Sequence, residues 1–226
     1  MMKTYFDEVV AGAVVAAATL LIAPTAVAQV APVARPVMPP VLPAAHVVDL
    51  MTSQGASALG AQWKTMEAKI VEREPIDGAL PGYTTAYDIL PHAGEAGFDD
   101  SHWPAIEAGD LAARRSGGHV AFIWYRADLT IPERIGDFET ANMKAVLTVL
   151  VDDYAEVWVD GQMPRQAGYP SPATIQGFNM PNRVVLSDAV RPGDRFQIAV
   201  FGINGPISVA PANTVWFRQA RLEFYP

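Results

Sequence analysis

The residue types that could do chemistry in this chain are oxygens, loop amides and aromatic rings. There is no cysteine, so no thiol nucleophile, thiolate ligand or disulfide. The four histidines, His46, His92, His102 and His119, lack metal-ligand spacing and read as loop or surface residues. The sequence contains no Gly-x-Ser-x-Gly elbow, phosphate-binding loop or His-Glu-x-x-His. Two acidic pairs, Asp99-Asp100 and Asp152-Asp153, could offer oxygens to a structural calcium. Neither pair brings a complete ligand loop, so capping of turn amides is the simpler role, and no cofactor is expected. Five tryptophans, Trp63, Trp103, Trp124, Trp158 and Trp216, could stack on sugars, but a domain of this size needs large inward residues. Trp124 and Trp158, mid-strand in alternating patterns, are assigned to the core, and Trp103 is assigned as a packing anchor. The expected ligand-binding set is Tyr169, Phe178, Asn179, Asn204 and Asn213. These lie in two long proline-containing loops, Gln162–Asn182 and Asn204–Asn213, where ring faces and amides would match the apolar face and hydroxyl rim of a sugar. No catalytic residue and no metal ligand is assigned.

The elements that must position these groups are strands. Ala145 to Val151 is apolar on both faces, the pattern of a central strand between two layers. Asp152-Asp153 reads as a turn. Tyr154, Glu156 and Trp158 then alternate with Ala155, Val157 and Val159, a strand with one wetter face. Asp160-Gly161 is a tight-turn signal. Alternation also predicts strands over Trp63–Val71, Tyr83–Ile89, His119–Ile131, Arg183–Ser187, Arg195–Ile203 and Val215–Tyr225, with a short strand at Thr174–Phe178 inside the long loop. His46–Ala61 reads as loop or a short helical turn. No segment sustains a helical period. About eight or nine strands separated by Gly/Pro turns predict an all-β, jelly-roll sandwich.

Lys3, the apolar run Val9–Ala23 and the small residues Ala26-Val27-Ala28 have the form of a cleaved export signal, residues 1–28. The run is shorter than the roughly 20 residues a spanning helix needs. Five prolines between Gln29 and Ala45 make residues 29–45 an extended Pro/Ala-rich linker. Residues 46–226 are then one β-sandwich domain with ample core, periplasmic or secreted. The chain carries a net charge of −8, which argues against nucleic acid or an anionic membrane as partner.

Three motifs in order, FDDSHW (Phe98–Trp103), WYRADLTIPE (Trp124–Glu133) and VDDYAEVWVDG (Val151–Gly161), resemble the sugar-binding-like N-terminal domain of beta-glucuronidases and beta-galactosidases. That resemblance implies a galactose-binding-domain-like jelly roll, with Asp160 where the family usually has Asn. The segments His46–Lys64 and Phe201–Tyr225 resemble the β-sandwich that precedes a gluconolactonase-type propeller. Neither likeness brings catalytic residues, since those lie in a barrel or propeller outside the matching motifs. The implied function is a non-catalytic binding module for carbohydrate or a partner protein. The alternative is an accessory subunit that docks on a separately encoded enzyme.

Overall fold

Alternation of apolar and polar residues becomes strands along about half of the described residues. The computed structural model describes residues 43–73, 86–164, 167, 179–205, 208 and 212–226, all within the unit Met38–Pro226. In chain order the elements are β1 (His46–Asp49), α1 (Ser53–Ala58), β2 (Trp63–Glu67), β3 (Lys69–Arg73), β4 (Ala86–Leu90), β5 (Ala105–Ile106), a 3₁₀ turn (Ala108–Ala112), β6 (Ala121–Thr130), β7 (Arg134–Ile135), β8 (Phe138–Glu139), β9 (Lys144–Asp152), β10 (Tyr154–Val159), β11 (Asn182–Ser187), β12 (Arg195–Asn204) and β13 (Trp216–Tyr225). They form an antiparallel sheet of order β1-β13-β9-β11 and a second of order β10-β12-β6-β2-β5. Two antiparallel ribbons, β3-β4 and β7-β8, complete the set.

The two sheets bury their facing sides against each other. Leu147, Val149, Leu222 and Phe224 from the first meet Ile123, Tyr125, Ile198, Val200 and Val157 from the second in one continuous cluster. Phe217 is the aromatic hub, edge-on to Trp63 at 5.8 Å and to Tyr125 at 5.0 Å. Trp63 is sealed, and its indole N–H donates to the Leu50 carbonyl at 3.1 Å, so its polar edge is satisfied inside the core. This is an all-β sandwich, as the alternation predicts.

Several elements differ from the sequence reading. Asp152-Asp153 does not close a hairpin. β9 and β10 lie in different sheets, so the acidic pair is the corner where the chain crosses between layers. The predicted strand Trp63–Val71 is two strands, because the chain leaves the five-stranded sheet at Ala68 and continues as ribbon β3. His46–Asp49 is a strand that pairs with β13; four residues are too few to show a period. The helical turn expected next is α1, whose N-cap Thr52 hydroxyl accepts the Gly55 N–H at 3.0 Å. The Asp160-Gly161 turn forms as expected. Both residues have positive φ, 50° and 82°, and Val159 and Gln162 exchange N–H···O bonds of 2.7 and 3.0 Å. The expected export signal at residues 1–28, most of the expected linker and the expected short strand at 174–178 lie outside the described residues.

Candidate functional site

The strands that fill the core with one face build a second apolar surface with the other. Glu156 on β10 lies opposite Phe201 on β12, Phe201 opposite Trp124 on β6, and Trp124 opposite Met66 on β2. One row over, Trp158, Ala199, Arg126 and Lys64 stand in the same relation. Residues two apart in a strand share a face, so these two rows put indoles, a phenyl ring and three charges side by side on the outside of the five-stranded sheet. Trp124, Phe201, Trp103, Ala93, Ala199 and Ala68 are buried there as a separate cluster.

The cover over this surface is the loop from Pro91 to Pro104, and one ion cluster holds it down. Arg126 is only 1% exposed. Its Nε donates to Asp100 Oδ2 at 2.8 Å, Nη1 donates to the Ala93 carbonyl, and Nη2 reaches the Phe98 carbonyl at 3.5 Å. Lys64 Nζ donates to the other Asp100 oxygen at 2.6 Å. Partial burial pushes the Asp100 carboxyl up, but the bonds from Lys64 and Arg126 outweigh it and hold the group below the usual carboxylate range. Next to it, Asp99 Oδ1 accepts the Ser101 N–H at 2.9 Å, closing the turn. Phe98 and Trp103 then pack edge to face at 5.5 Å. The Asp-Asp-Ser-x-Trp motif and the Trp-Tyr-Arg strand thus form one structural unit whose charges are spent on holding the loop.

Between loop and sheet an open cleft of about 330 Å³ remains, lined by Asp88, Ile89, His92, Gly94, Glu95, Trp124, Glu156, Trp158 and Phe201. Gly94 lies against the Trp158 ring so closely that a Cβ there would come within 2.7 Å of it. Gly161 meets the Ala96 backbone in the same way, at 2.6 Å. The loop seats on β10 because both contacts are glycine. Trp158 is half-buried, and its indole N–H donates to Glu156 Oε2 at 3.0 Å. Trp124 beside it is 4% exposed, and its indole N–H has no acceptor among the described residues. His92 Nε2 sits 2.9 and 3.0 Å from the two Asp88 oxygens, and Nδ1 lies 3.4 Å from Glu95. The His92 hydrogen bond, with the Ile89 N–H, keeps Asp88 below the usual carboxylate range.

Those of the sequence-predicted site residues that are described lie elsewhere. Tyr169 and Phe178 are outside the described residues. Asn179 takes positive φ, 53°; its N–H donates to the Asp153 carbonyl at 2.8 Å and its Oδ1 accepts from Arg218 at 3.2 Å. Asn204 and Asn213 are buried. Their amides donate to the Thr214 carbonyl at 2.6 Å and the His119 carbonyl at 2.5 Å, so the first ties β12 to the segment before β13 and the second ties that segment to the one before β6. Asp153 is also buried. Desolvation pushes its carboxyl up, against a bond from the Gly205 N–H at 3.0 Å. No group of three or more His, Asp or Glu among the described residues is arranged to hold a metal ion. The wetter face of β10 was legible in the alternation of Tyr154, Glu156 and Trp158. Assigning Trp158 to the core is corrected: both Trp124 and Trp158 are on the outer face, and only Trp124 is fully covered.

Solved structures similar to this chain include two beta-glucuronidases and an alpha-xylosidase. Bacteroides uniformis beta-glucuronidase 2 is 15% identical over 80% of this chain and 18% of its own, with a TM-score of 0.45. Faecalibacterium prausnitzii beta-glucuronidase is 15% identical over 73% of this chain and 32% of its own, with a TM-score of 0.33. The alpha-xylosidase from Xanthomonas citri is 8% identical over 79% of this chain and 17% of its own, with a TM-score of 0.30. The chain therefore spans about 18% of the length of the first of these. At this distance the likeness decides nothing about chemistry. No family model and no curated protein matches. Among the described residues no helix is long and apolar enough to cross a membrane.

Proposed function

We propose that this chain is an exported, non-catalytic carbohydrate-binding module, a galactose-binding-like jelly roll whose sugar lies in the outer cleft. The observation that carries this reading is Trp158, a half-buried indole in the cleft wall, hydrogen-bonded to a carboxylate that shares the same cleft. An indole face accepts the apolar side of a pyranose, and a carboxylate oxygen accepts its hydroxyl protons. The non-catalytic reading is supported by how the polar groups are used: Asp88 and Glu95 face His92, and Glu156 holds the Trp158 indole. Export to the periplasm or beyond rests on the form of residues 1–28.

A glycan array with the purified chain and with Trp158→Ala tests the reading. The native chain is expected to retain a defined set of sugars and the variant to lose them. The variant should fold with a stability loss of about 2 kcal/mol, less than for a fully buried tryptophan. A native chain that retains no glycan would overturn the carbohydrate reading.

A second reading has one observation in its favour. The β3-β4 ribbon exposes Ile70, Tyr87 and Leu90, at 49%, 67% and 43%, an apolar strip of the kind that docks on a partner protein. On this reading the chain is an accessory subunit of a separately encoded enzyme such as a gluconolactonase-type propeller. Co-expression with such a propeller should give one peak on gel filtration, split by Tyr87→Glu. Separate elution of the native pair counts against it.

A further inference from the structure

We infer that the sugar taken by the outer cleft carries a protonated amine: the ligand class is an amino sugar, or a short chain of them. This rests on the carbohydrate reading above and narrows it. Among the described residues, the cleft is lined by three carboxylates, those of Asp88, Glu95 and Glu156, and by no lysine or arginine. The nearby cations are occupied. Arg126 and Lys64 are bound to Asp100 beneath the loop, and Arg73 stands 3.7 Å from Asp88. Among the described lining residues only His92 opposes the acids from within, and it lies between Asp88 and Glu95.

Glu156 is the exception among the three. Its contact is an indole N–H, a neutral donor, and no cation among the described residues is placed to neutralise it. A carboxylate beside a partly covered aromatic wall favours a positive ligand group twice over. Coulomb attraction acts from the oxygen, and the negative face of the indole quadrupole acts on the same charge. The same pair repels an anionic sugar, because a uronate carboxylate next to Glu156 would bring like charges together, with no cation among the described residues placed to neutralise Glu156. A neutral sugar would stack on the indole but leave the Glu156 charge unanswered. The cleft's volume, about 330 Å³, lies at the small end of the usual range for ligand sites and suits one or two sugar rings.

The experiment is titration calorimetry of the full chain with three trisaccharides of glucosamine, N-acetylglucosamine and galacturonic acid, each at low and high salt. The glucosamine trimer should bind at least about tenfold tighter than its acetylated form, with the advantage shrinking at high salt. Glu156→Gln keeps the shape and an acceptor for the Trp158 indole but removes the charge. It should weaken the glucosamine trimer about tenfold and the acetylated trimer much less, because the Gln oxygen still accepts a hydroxyl proton, with a melting temperature like the native chain's. Equal or tighter binding of the acetylated trimer or the uronate overturns the amine inference and leaves the carbohydrate reading standing. Failure of all three sugars to bind overturns the amine inference and leaves the carbohydrate reading to the glycan array. Glucosamine binding that ignores both salt and Glu156→Gln shows stacking alone and also overturns the inference.

Discussion

The two apolar clusters on either side of the five-stranded sheet are built by the same strands and end in different states. Between the sheets, Ile123, Tyr125, Val157, Ile198 and Val200 meet a second wall of side chains and are sealed. On the outside, Trp124, Trp158 and Phe201 meet a loop rather than a sheet. A loop cannot interdigitate side chains along its whole length as a pleated face does, so a cleft is left with indoles and carboxylates in its wall. The inner cluster holds the fold together. The outer one needs an ion cluster to keep its cover on, and it leaves polar groups where a ligand can meet them.

This contrast predicts a graded set of effects. The largest should come from the inner side: Phe217→Ala removes the ring that both Trp63 and Tyr125 pack against, and should cost about 3–5 kcal/mol in chemical denaturation. Any ligand affinity measured on the remaining folded fraction should be unchanged. A Phe217→Ala protein that folds normally but no longer binds would erase the division between the two clusters.

Arg126→Met should cost somewhat less, roughly 3 kcal/mol, through the loss of the buried guanidinium and its three contacts under the loop. Its signature differs from that of Phe217→Ala. Amide exchange should rise across residues 91–104 before it rises in β9 or β13, and any sugar binding measured at the cleft should be lost. Uniform exchange across both sheets would show that the loop is not a separately held cover.

The smallest expected effect is electrostatic and separates Asp100 from Asp153. Asp100 has its folded pKa lowered, so the stability it contributes is present above the ordinary carboxylate value of 3.8 and is lost as pH falls through its folded pKa. Asp153 has its folded pKa raised. Its folded form holds the proton more tightly than the unfolded chain does, so it costs stability as pH rises from 3.8 through the folded value, and that cost persists at neutral pH. Asp153→Asn keeps an acceptor for the Gly205 N–H. It should leave stability at pH 7 equal or slightly higher while changing little at pH 3. Asp100→Asn should lower stability at pH 7 and flatten the acid limb. A melting series against pH for the two variants checks both signs, and identical profiles would break the distinction.

Much of the architecture was determined by the sequence alone, because its causes are local. Alternation along Tyr154–Val159 and Arg195–Ile203 sets which side chains share a face, since successive residues of a strand point to opposite sides. Asp160-Gly161 turns the chain because both residues adopt positive φ there. Asp99 closes the Asp-Asp-Ser turn through a bond to the Ser101 N–H, only two residues on. What the tertiary structure alone decided depends on partners far apart in the chain. Asp152-Asp153 could have closed a hairpin or crossed between layers, and only the pairing of β10 with β12 and of β9 with β13 chose the crossing. Asn204 and Asn213 read as loop amides for a ligand, but the carbonyls of Thr214 and His119 come within reach only in the folded chain. The pairing of Asp100 with Arg126 spans 26 residues, and no periodicity in either segment announces it. That pairing lays the Pro91–Pro104 loop across the outer face of the sheet, so Trp124 is covered while Trp158 and Glu156 remain in an open cleft.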